Sequence, residues 1–379
     1  MKAIFFSVIM IVYGLFHLAI WRRVRTIFSM GKTGSGMVLI VLLALFFSVF
    51  LSHGVYRWGW FSASQSLFRV GTVWLGCVFI FFQIELLLII LVSTQKLFHN
   101  RGTIITWRQK PEVFYLSVAI AILVNVYGFF EAGHLQVTRL AMTSPLRRSH
   151  SDPVKIMQIS DVHYGQFVIA SRHEKLFEFV RHENPDIIVS TGDFIDFGGE
   201  NQAWIMDQWH AVQPPLGKFA VLGNHESMTG IPVSLALLER GGFQVLRNDW
   251  VSFDGFTVLG VDDPSTHDVG VKPFDQSRFP HQDSTVVLLY HQPVWPEKLA
   301  GFFDLGLSGH THGGQIFPFG IMVYWANGVL SGLRTTPWGG WYYINRGTGT
   351  WGPPIRVGAA PEITVITLNY GNYKKVSIE

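Results

Sequence analysis

Residues 307–316 read LSGHTHGGQI, with His310 and His312 on either side of Thr311 and glycines before and after them. The short apolar run Leu305–Ser308 leads into the histidines and is typical of a buried strand. Two imidazoles at a strand end suit a metal site, and the flanking glycines allow the backbone to turn closely round an ion. Taken alone, the segment is as consistent with an ordinary turn, so its meaning depends on partners elsewhere in the chain.

Four further clusters of metal-ligating side chains precede this segment, and each follows a short apolar run that predicts a strand. In chain order they are Asp161-Val162-His163, Gly192-Asp193, Gly223-Asn224-His225-Glu226 and His291. They offer carboxylates, imidazoles and one amide but no thiolate, which suits two neighbouring divalent cations and argues against a structural zinc site. A carboxylate such as that of Asp193 can bridge two ions about 3.5–4 Å apart.

Each cluster also has an ordinary interpretation. A lone Asp-x-His is most often a solvated turn, a lone Gly-Asp is turn chemistry, and His291 alone would be a hydrogen-bonded core histidine. Their joint occurrence, each at a predicted strand end, favours a single metal centre instead. Strands and helices alternate up to Gly241-Gly242 and mostly strands follow, which predicts a mixed sheet or two packed sheets with helices outside.

This constellation resembles the calcineurin-like metallophosphoesterase superfamily, whose pattern is D-x-H, GD-x-x-D, GNH-D/E, a lone H and GH-x-H. Here the motifs read DVH, GDFID, GNHE, the His in YHQP and GHTH, and the resemblance covers nearly all of residues 154–368. The longer forms LSGHTHGGQI, NRGTGTWGPPIR and PEIT are similar to the membrane-anchored bacterial branch. That branch usually has one N-terminal anchor or an export signal, so a longer membrane region is a departure from it.

The resemblance implies an α/β fold, a four-layer α/β/β/α sandwich, with two divalent metal ions (manganese, iron or zinc) as cofactors. One metal would be held by Asp161, His163, Asp193 and His312, and the other by Asp193, Asn224, His291 and His310. Asp193 and a hydroxide would bridge the metals, which would lower the pKa of the attacking water and align the attack on phosphorus. His225 would protonate or stabilise the leaving oxygen. Asp196 would either support a ligand or only hold the turn.

The composition predicts membrane spans. Of the 379 residues, 49% are hydrophobic and 15% charged, and the mean hydropathy is +0.28. Four stretches approach the ~20 residues that a bilayer-spanning helix needs, namely Ala3–Trp21, Met37–Val55, Thr72–Val92 and Val113–Phe130. Trp21-Arg22-Arg23 stands where small residues would mark signal cleavage, which predicts an uncleaved helix. The net charge of +3 indicates no nucleic-acid partner, and the single Cys77 permits no intrachain disulfide.

These patterns divide the chain into a transmembrane region of about four helices (1–142), a polar linker (143–153) and a metallophosphoesterase domain (154–379). Lysine and arginine are concentrated between the first two and the last two stretches, which favours those loops in the cytoplasm. We therefore expect a multi-pass protein of the inner cell membrane with an extracytoplasmic catalytic domain, although Arg139, Arg147 and Arg148 favour the opposite side. Glu85, within the third stretch, is expected to be protonated in a helix–helix hydrogen bond, with a functional role as the alternative.

Aromatic residues are dense between residues 317 and 351, where glycine and proline interrupt them and favour loops and hairpins over helix. Trp325 and Trp338 are expected in loops, and Trp341–Ile344 in a core strand. The segment could form an entrance for a lipid phosphate at the bilayer surface, or ordinary core. Arg346 is a candidate phosphate contact, with a plain surface arginine as the alternative.

Together these features predict a membrane-embedded phosphoesterase that hydrolyses a phosphate ester or diphosphate, with a lipid or lipid-linked envelope intermediate as its substrate and the bilayer as its partner. One alternative is a membrane-anchored phosphatase for soluble extracytoplasmic phosphoesters. Another is a non-catalytic metal-binding scaffold, against which the complete ligand set and His225 argue. A transporter is disfavoured because the few polar groups in the spans form no path. The substrate, the metal pair and the oligomeric state stay open.

Overall fold

The structure is a computed structural model that describes residues 2–98, 110–145, 152–166, 168–199, 201–266, 274–275, 279, 284–371 and 374–378. It divides into two compact units. The helical unit comprises Met1–Phe130 with Gly352–Ile355, and the sheet unit comprises Glu131–Trp351 with Arg356–Glu379.

The described part of the helical unit has the helices α1 (Lys2–Ile27), α2 (Lys32–Arg57), α3 (Phe61–Phe98) and α4 (Pro111–Glu131). Three stretches are long and apolar enough to cross a membrane, namely Lys32–Arg57, Phe61–Thr94 and Pro111–Glu131. A membrane-spanning role for α1, the fourth expected span, stays a prediction. Helices α2 and α3 approach closely at Gly71, where a Cβ atom would come within 2.4 Å of Ser48 Oγ. Small residues at helix contacts are typical of membrane bundles.

The carboxyl group inside the helical unit has a cationic partner. Arg23 Nε of α1 lies 3.0 Å from Glu85 Oε1 of α3, and both side chains are largely buried. The same two helices are joined where Trp74 Nε1 donates to His17 Nε2 over 2.9 Å. An ion pair therefore replaces the neutral hydrogen bond expected for Glu85. Arg23 lies within α1 rather than in a loop, while Arg147 and Arg148, which also entered the orientation argument, lie outside the described residues.

The sheet unit contains strands and helices in alternation. Its described strands are β1 (Gln136–Ser144), β2 (Val154–Ile159), β3 (Ile187–Ser190), β4 (Lys218–Ala220), β5 (Gln244–Val245), β6 (Asp249–Phe253), β7 (Phe256–Gly260), β8 (Thr285–Leu289), β9 (Leu305–Ser308), β10 (Gly332–Thr335), β11 (Trp341–Ile344), β12 (Glu362–Tyr370) and β13 (Lys375–Ile378). Its described helices are α5 (Ala170–Glu183), α6 (Gln202–Ala211), α7 (Asn224–Thr229), α8 (Ile231–Arg240) and α9 (Phe319–Asn327).

The strands form two sheets that pack face to face, which confirms the predicted α/β class. The first sheet has the order β13-β1-β12-β2-β3-β4-β5, and the second has the order β10-β11-β9-β8-β7-β6. Side chains alternate along a strand, so Ile156 joins the core between the sheets while the next residue, Met157, joins the core under α5, α6 and α8. On the second sheet Val287 faces the shared core, and Leu288 belongs to a third core that covers the outer face.

The direction of the strands brings the predicted ligands to one edge. Strands β2, β3 and β4 run parallel, and so do β7, β8, β9 and β11. Loops that leave the carboxyl ends of parallel strands emerge at the same edge of a sheet, where α/β proteins build their sites. The predicted clusters all follow such ends.

The predicted boundary between linker and domain is wrong. Strand β1 pairs in parallel with β12 along its whole length and antiparallel with β13, so residues 143 and 144 belong to the sheet. Leu140 and Met142 are fully buried while Arg139 is exposed, an alternation that the flanking polar residues obscured. The domain begins before residue 136 rather than at 154, and residues 146–151 of the predicted linker lie outside the described residues.

The aromatic segment is partly helical, contrary to expectation. Residues 319–327 form α9, and Trp325 is a helical residue with 81% of its side chain exposed. The expected core strand is confirmed as β11, in which Tyr342 and Tyr343 are buried. Trp338 lies outside helices and strands, as expected, but packs against the outer core of the second sheet.

Candidate metal centre

The structure brings together the side chains of all seven predicted ligands. In one group, His291 Nε2 lies 3.1 Å from Asn224 Oδ1, 3.1 Å from His310 Nδ1 and 3.2 Å from Asp193 Oδ2. These four side chains come from the ends of β3, β4, β8 and β9. Both sheets therefore contribute to the group.

The second group is formed by Asp161, His163 and His312. His163 Nε2 lies 3.0 Å from His312 Nε2, which is 3.5 Å from Asp161 Oδ1. Asp193 connects the two groups, because it clusters with His291 and His310 on one side and with His163 on the other, with ligand atoms within 4.8 Å of one another. A carboxylate shared by two clusters is the arrangement that a pair of ions requires.

The backbone is strained where the ligands leave their strands. Five of them have left-handed φ angles between 50° and 72°, namely Asp161, His163, Asp193, His310 and His312. Such conformations cost on the order of 1–3 kcal/mol each and concentrate at functional sites. Glycine allows the close approach: a Cβ atom at Gly309 would lie 2.1 Å from Asp161 Oδ2, and one at Gly223 would lie 2.2 Å from Asp193 Oδ1.

Asp196 contacts two histidines, one of which is a predicted ligand, and these contacts favour the supporting role among its two expected roles. Its Oδ2 lies 3.1 Å from His163 Nδ1, and its Oδ1 lies 2.5 Å from His225 Nδ1. An ionised carboxylate can only accept, so both rings donate through Nδ1–H. In a neutral His163 ring, Nε2 is then an acceptor that faces the centre. Carboxylate–histidine pairs of this kind fix the tautomer of metal-ligating imidazoles.

The donor set fits divalent cations. His291 Nδ1 lies 2.9 Å from the carbonyl oxygen of Thr191, to which it must donate, so Nε2 is the acceptor that a neutral His291 ring offers to a metal. It faces the Asn224 amide oxygen and the Asp193 carboxylate, which are also acceptors, and all three side chains are mostly or fully buried. Burial by itself lowers the pKa of His291, but the Asp193 carboxylate raises it to about 10, so a proton occupies this ring when no metal is bound. A divalent cation in place of that proton would satisfy all the converging acceptors. Mixed nitrogen and oxygen ligation suits manganese, iron or zinc.

Glu226 supports the carboxylate side of the centre, a role that the sequence analysis did not assign. Its fully buried side chain accepts hydrogen bonds from the backbone amides of four residues in two loops. The donors are Gly223, Asp193, Phe194 and Ile195, at 2.7, 3.0, 2.7 and 2.8 Å. Glu226 therefore ties the loop after β3 to the start of α7. Its position at the third residue of a helix is a known capping signal, so the sequence carried a clue.

Arg356 supports the other side of the centre, and sequence analysis missed it entirely. The guanidinium is fully buried and donates to the carbonyl oxygens of five residues. These are Gly349, His312, Arg346, Ala359 and Gly347, at 2.6–3.1 Å. Arg356 thus holds the backbone of a predicted ligand, His312, to the loop before β12. Its Nη2 also lies 3.3 Å from His312 Nδ1. A buried guanidinium whose partners are mostly backbone carbonyls has no local sequence signal.

His225 is placed beside the two groups as a proton donor. Its Nε2 lies 3.9 Å from Asp193 Oδ2, and its backbone N–H donates to Asp193 Oδ1 over 2.8 Å. Burial by itself lowers the pKa of His225, but the carboxylates of Asp196 and Asp193 outweigh it and raise the pKa to about 9. The imidazolium is therefore the favoured form at neutral pH. In return, histidine neighbours hold the pKa of Asp196 below its usual range despite burial.

An aromatic residue borders His225. The Trp351 ring lies 5.8 Å from the His225 ring in an edge-to-face arrangement, and half of the tryptophan side chain is exposed. Gln315 clamps this tryptophan, because its amide donates to Trp351 O over 2.8 Å and accepts from Trp351 N over 3.0 Å. The glutamine of the GHTHGGQ segment thus positions an exposed ring next to the centre.

Arg346 has structural partners. Its Nε donates to Glu362 Oε2 over 2.6 Å and its Nη2 to Gln136 Oε1 over 3.0 Å. Glu362 is buried, so the ion pair satisfies a carboxylate in the sheet. The phosphate contact expected for Arg346 stays a prediction that these hydrogen bonds do not support.

Comparison with known proteins agrees with the fold and the donor set. The family description "Calcineurin-like phosphoesterase" matches residues 154–314. A metallophosphoesterase from Aquifex aeolicus (strain VF5) is 34% identical over 255 residues, which cover 66% of this chain and 97% of that protein. The chain therefore belongs to the calcineurin-like metallophosphoesterases, and it is a metal-dependent phosphoester hydrolase.

Two further similar proteins are a relative that is named as a transmembrane protein and a phosphatase of known structure. A "transmembrane protein with metallophosphoesterase domain" from Danio rerio is 26% identical over 270 residues, which cover 67% of this chain and 62% of that protein. A dimetal phosphatase from Danio rerio, known from a crystal structure, is 15% identical with a TM-score of 0.34. That match covers 52% of this chain and 88% of the other.

Proposed function

We propose that this protein is a membrane-embedded phosphoesterase with two metal ions, and that its substrate is a lipid or lipid-linked phosphate ester or diphosphate. The observation that carries the proposal is the convergence of buried acceptor atoms in two groups that share Asp193. Family membership supports the reaction class, and the three apolar helices support the location.

The proposed ligand sets follow the two groups. Asp161, His163, Asp193 and His312 would hold one ion, while Asp193, Asn224, His291 and His310 would hold the other. When bound, such a pair neutralises phosphoryl oxygens and makes a water-derived nucleophile available near neutral pH. Asp193 Oδ1 accepts from the His225 amide, and Oδ2 lies 3.2 Å from His291 Nε2 and 3.9 Å from His225 Nε2.

His225 supplies the proton for the leaving group. Asp196 accepts from Nδ1–H and keeps the ring in one orientation, so Nε2–H points away from the carboxylate that holds it. A raised pKa keeps that proton in place at neutral pH. A leaving alkoxide or phosphate oxygen within hydrogen-bond reach of Nε2 would receive it.

The surroundings of the centre favour an amphipathic substrate. Trp351 borders His225 with half of its surface exposed, and α9 follows the His310–His312 turn with an uncharged exterior that is mostly apolar or aromatic. No aspartate or glutamate occurs between Asp304 and Glu362, so this part of the sequence carries no charge that would repel a phosphate. The Danio rerio relative is named as a transmembrane protein, which agrees with a bilayer as the partner.

The proposed location is the inner cell membrane, with the sheet unit outside the cytoplasm. The argument is the density of lysine and arginine in the sequence between the first two and between the last two of the four apolar stretches, in residues 22–36 and 93–112. Accessibility of a protease site engineered after residue 371 in right-side-out and inverted vesicles would test this orientation. Cleavage in inverted vesicles alone would reverse it.

The function is tested by hydrolysis with the purified full chain in detergent. The substrates are a chromogenic phosphodiester, a phospholipid and a polyprenyl diphosphate, each with manganese and then with chelator. We expect metal-dependent turnover of a lipid substrate, and a large loss of it in His225→Ala. The matched control is His182→Ala, because His182 lies on α5 with 81% of its side chain exposed.

Each outcome decides between alternatives. Turnover of only the soluble ester would make the helices an anchor and overturn the lipid substrate. Metal-loaded protein that hydrolyses none of the substrates would favour a scaffold. Equal loss in His225→Ala and His182→Ala would overturn the role of His225.

A further inference from the structure

Helix α9 has an unusual surface for a helix of the sheet unit. None of its residues is buried and none is charged. The exposed side chains include Ile321, Met322, Tyr324 and Trp325, at 51, 62, 51 and 81%. By contrast, α8 buries Ile231, Ser234 and Leu238, and its exposed residues include the charged Glu239 and Arg240. A helix that is apolar on all sides is expected inside a protein or a membrane, and an exposed apolar patch marks an interaction site.

Backbone contacts fix both ends of α9, although none of its residues is buried. At its start, the chain passes so close to the His312–Gly314 turn that a Cβ atom at Gly314 would lie 2.3 Å from Gly320 Cα. At its end, Gly328 adopts a left-handed C-cap and its N–H donates to Tyr324 O over 2.7 Å. Thr311, between the two predicted histidine ligands, donates through its hydroxyl to Leu330 O just beyond the helix. These contacts therefore fix α9, with its apolar surface, next to the turn that carries His310 and His312.

We propose that α9 inserts into the interface of a lipid bilayer. A candidate membrane span lies close to the sheet unit in the sequence. Among the described residues, α4 is one of three helices that could span a bilayer, and residues 132–135 join α4 to β1. Four extended residues reach at most about 14 Å, so β1 begins within that distance of the end of a candidate span. Tryptophan and tyrosine favour the headgroup level, and α9 carries one of each.

The charges near α9 agree with this occupant. Arg334 Nη2 donates to the carbonyl oxygen of Gly328 over 2.8 Å, which places a cation at the C-terminal end of the helix. The nearest acidic residues in sequence are Asp304 and Glu362, so no carboxylate in this segment opposes an anionic headgroup. Helices with an apolar face and flanking cations bind membrane interfaces in this way.

Insertion of α9 would hold the turn of His310 and His312 at headgroup depth. A lipid phosphate could then reach the predicted centre without leaving the bilayer. This consequence rests on the proposed function, whereas insertion itself is a physical property that can be measured without turnover.

The test places one fluorescent label on α9 of the full chain. Trp325→Cys is made in a Cys77→Ser background, labelled with an environment-sensitive dye and reconstituted into vesicles of phosphatidylethanolamine and phosphatidylglycerol. Trp204→Cys serves as the matched control, because Trp204 on α6 is also exposed, at 55%. We expect nitroxide-labelled lipids to quench the label at 325 at least several-fold more than the label at 204.

Two results would overturn the insertion: equal quenching at the two positions, or no quenching at 325. Energy transfer between labels at position 325 that disappears on dilution of the protein in lipid would assign the surface to a second copy instead.

A second variant, Ile321→Glu, tests whether insertion of α9 gives a lipid phosphate access to the predicted centre. We expect its quenching at 325 and its ratio of lipid to soluble-ester turnover both to fall about tenfold. Quenching without any lipid turnover would leave insertion standing and overturn the proposed substrate. Turnover of lipid without quenching would overturn insertion and leave the proposed substrate standing.

Discussion

The two sheets supply chemically different halves of the metal centre. The loops after β2, β3 and β4 provide both predicted carboxylate ligands, the amide and one imidazole, whereas the loops after β8 and β9 provide three imidazoles. Their supports differ as well. Glu226 and Asp196, both carboxylates, organise the first half, while the cation Arg356 and the carbonyl oxygen of Thr191 organise the second.

The supporting groups differ because one half offers a cation both predicted carboxylates and the other offers only imidazoles. Carboxylates gathered in a buried place need donors, and the Glu226 and Asp193 side chains take theirs from backbone amides. Imidazoles need a fixed tautomer and a fixed backbone, which carbonyl acceptors and a multidentate guanidinium provide. The comparison predicts that mutations in the first half change charge and pH dependence, and that mutations in the second half change geometry.

The largest effect is expected where the halves meet. Asp193→Asn removes the carboxylate charge that faces both groups, so we expect both metal equivalents to weaken. The loss of turnover should exceed the 10–100-fold that supporting residues typically cost. Metal content after dialysis, together with turnover at saturating manganese, measures it. Retention of two ions per chain would contradict a shared ligand. Asp207→Asn, in an exposed surface pair, is the matched control.

Arg356→Lys should damage the second half alone. Lysine keeps the positive charge but offers three donors in place of the five-donor fork, so the loops round His312 lose their common anchor. We expect the affinity for one of the two metals to fall about 10–100-fold, with the other unchanged. Calorimetric titration of manganese separates the two sites. Arg334→Lys, which alters an exposed arginine with a single carbonyl contact, should change neither site. Equal weakening of both sites would refute a role confined to one half.

Asp196→Asn should change the pH dependence of the first half. Its carboxylate helps to raise the pKa of His225 to about 9 against the effect of burial. Activity that needs the imidazolium is present below that pKa and is lost as the pH rises through it. Without the carboxylate the pKa falls, so the alkaline limb of the rate profile should move to lower pH. A limb that stays in place would show that another group sets it. Arg356→Lys should leave this limb unmoved, which sharpens the comparison.

The smallest effect is expected for Arg346→Lys, outside both halves. Because Arg346 is paired with the buried Glu362, a lysine that preserves the charge should keep turnover within about threefold and lower stability by on the order of 1 kcal/mol. Thermal unfolding and KM for the lipid substrate measure both. A rise in KM well beyond that range, with unchanged stability, would restore the phosphate contact expected from the sequence.

Much of the first half could be predicted because its signals are local. Each predicted ligand follows an apolar strand within a few residues, and Glu226 and Asp196 lie in the same motifs as the predicted ligands beside them. Even so, the choice between two roles for Asp196 required His163 and His225 to be brought to the same carboxylate. Sequence spacing alone does not show which rings share an acceptor.

The amino-acid sequence by itself determined the strands that lead to the site, the ligand types and their order, and the apolar helices, because periodicity and turn chemistry act over a few neighbouring residues. Tertiary structure alone decided that β1 belongs to the sheet, that Arg356 anchors His312 from 44 residues away, that Arg346 pairs with Glu362 and that α9 faces outward. These features depend on contacts between residues distant in the chain. Such contacts exist only after strand pairing has placed the loops at one edge, so no local pattern encodes them.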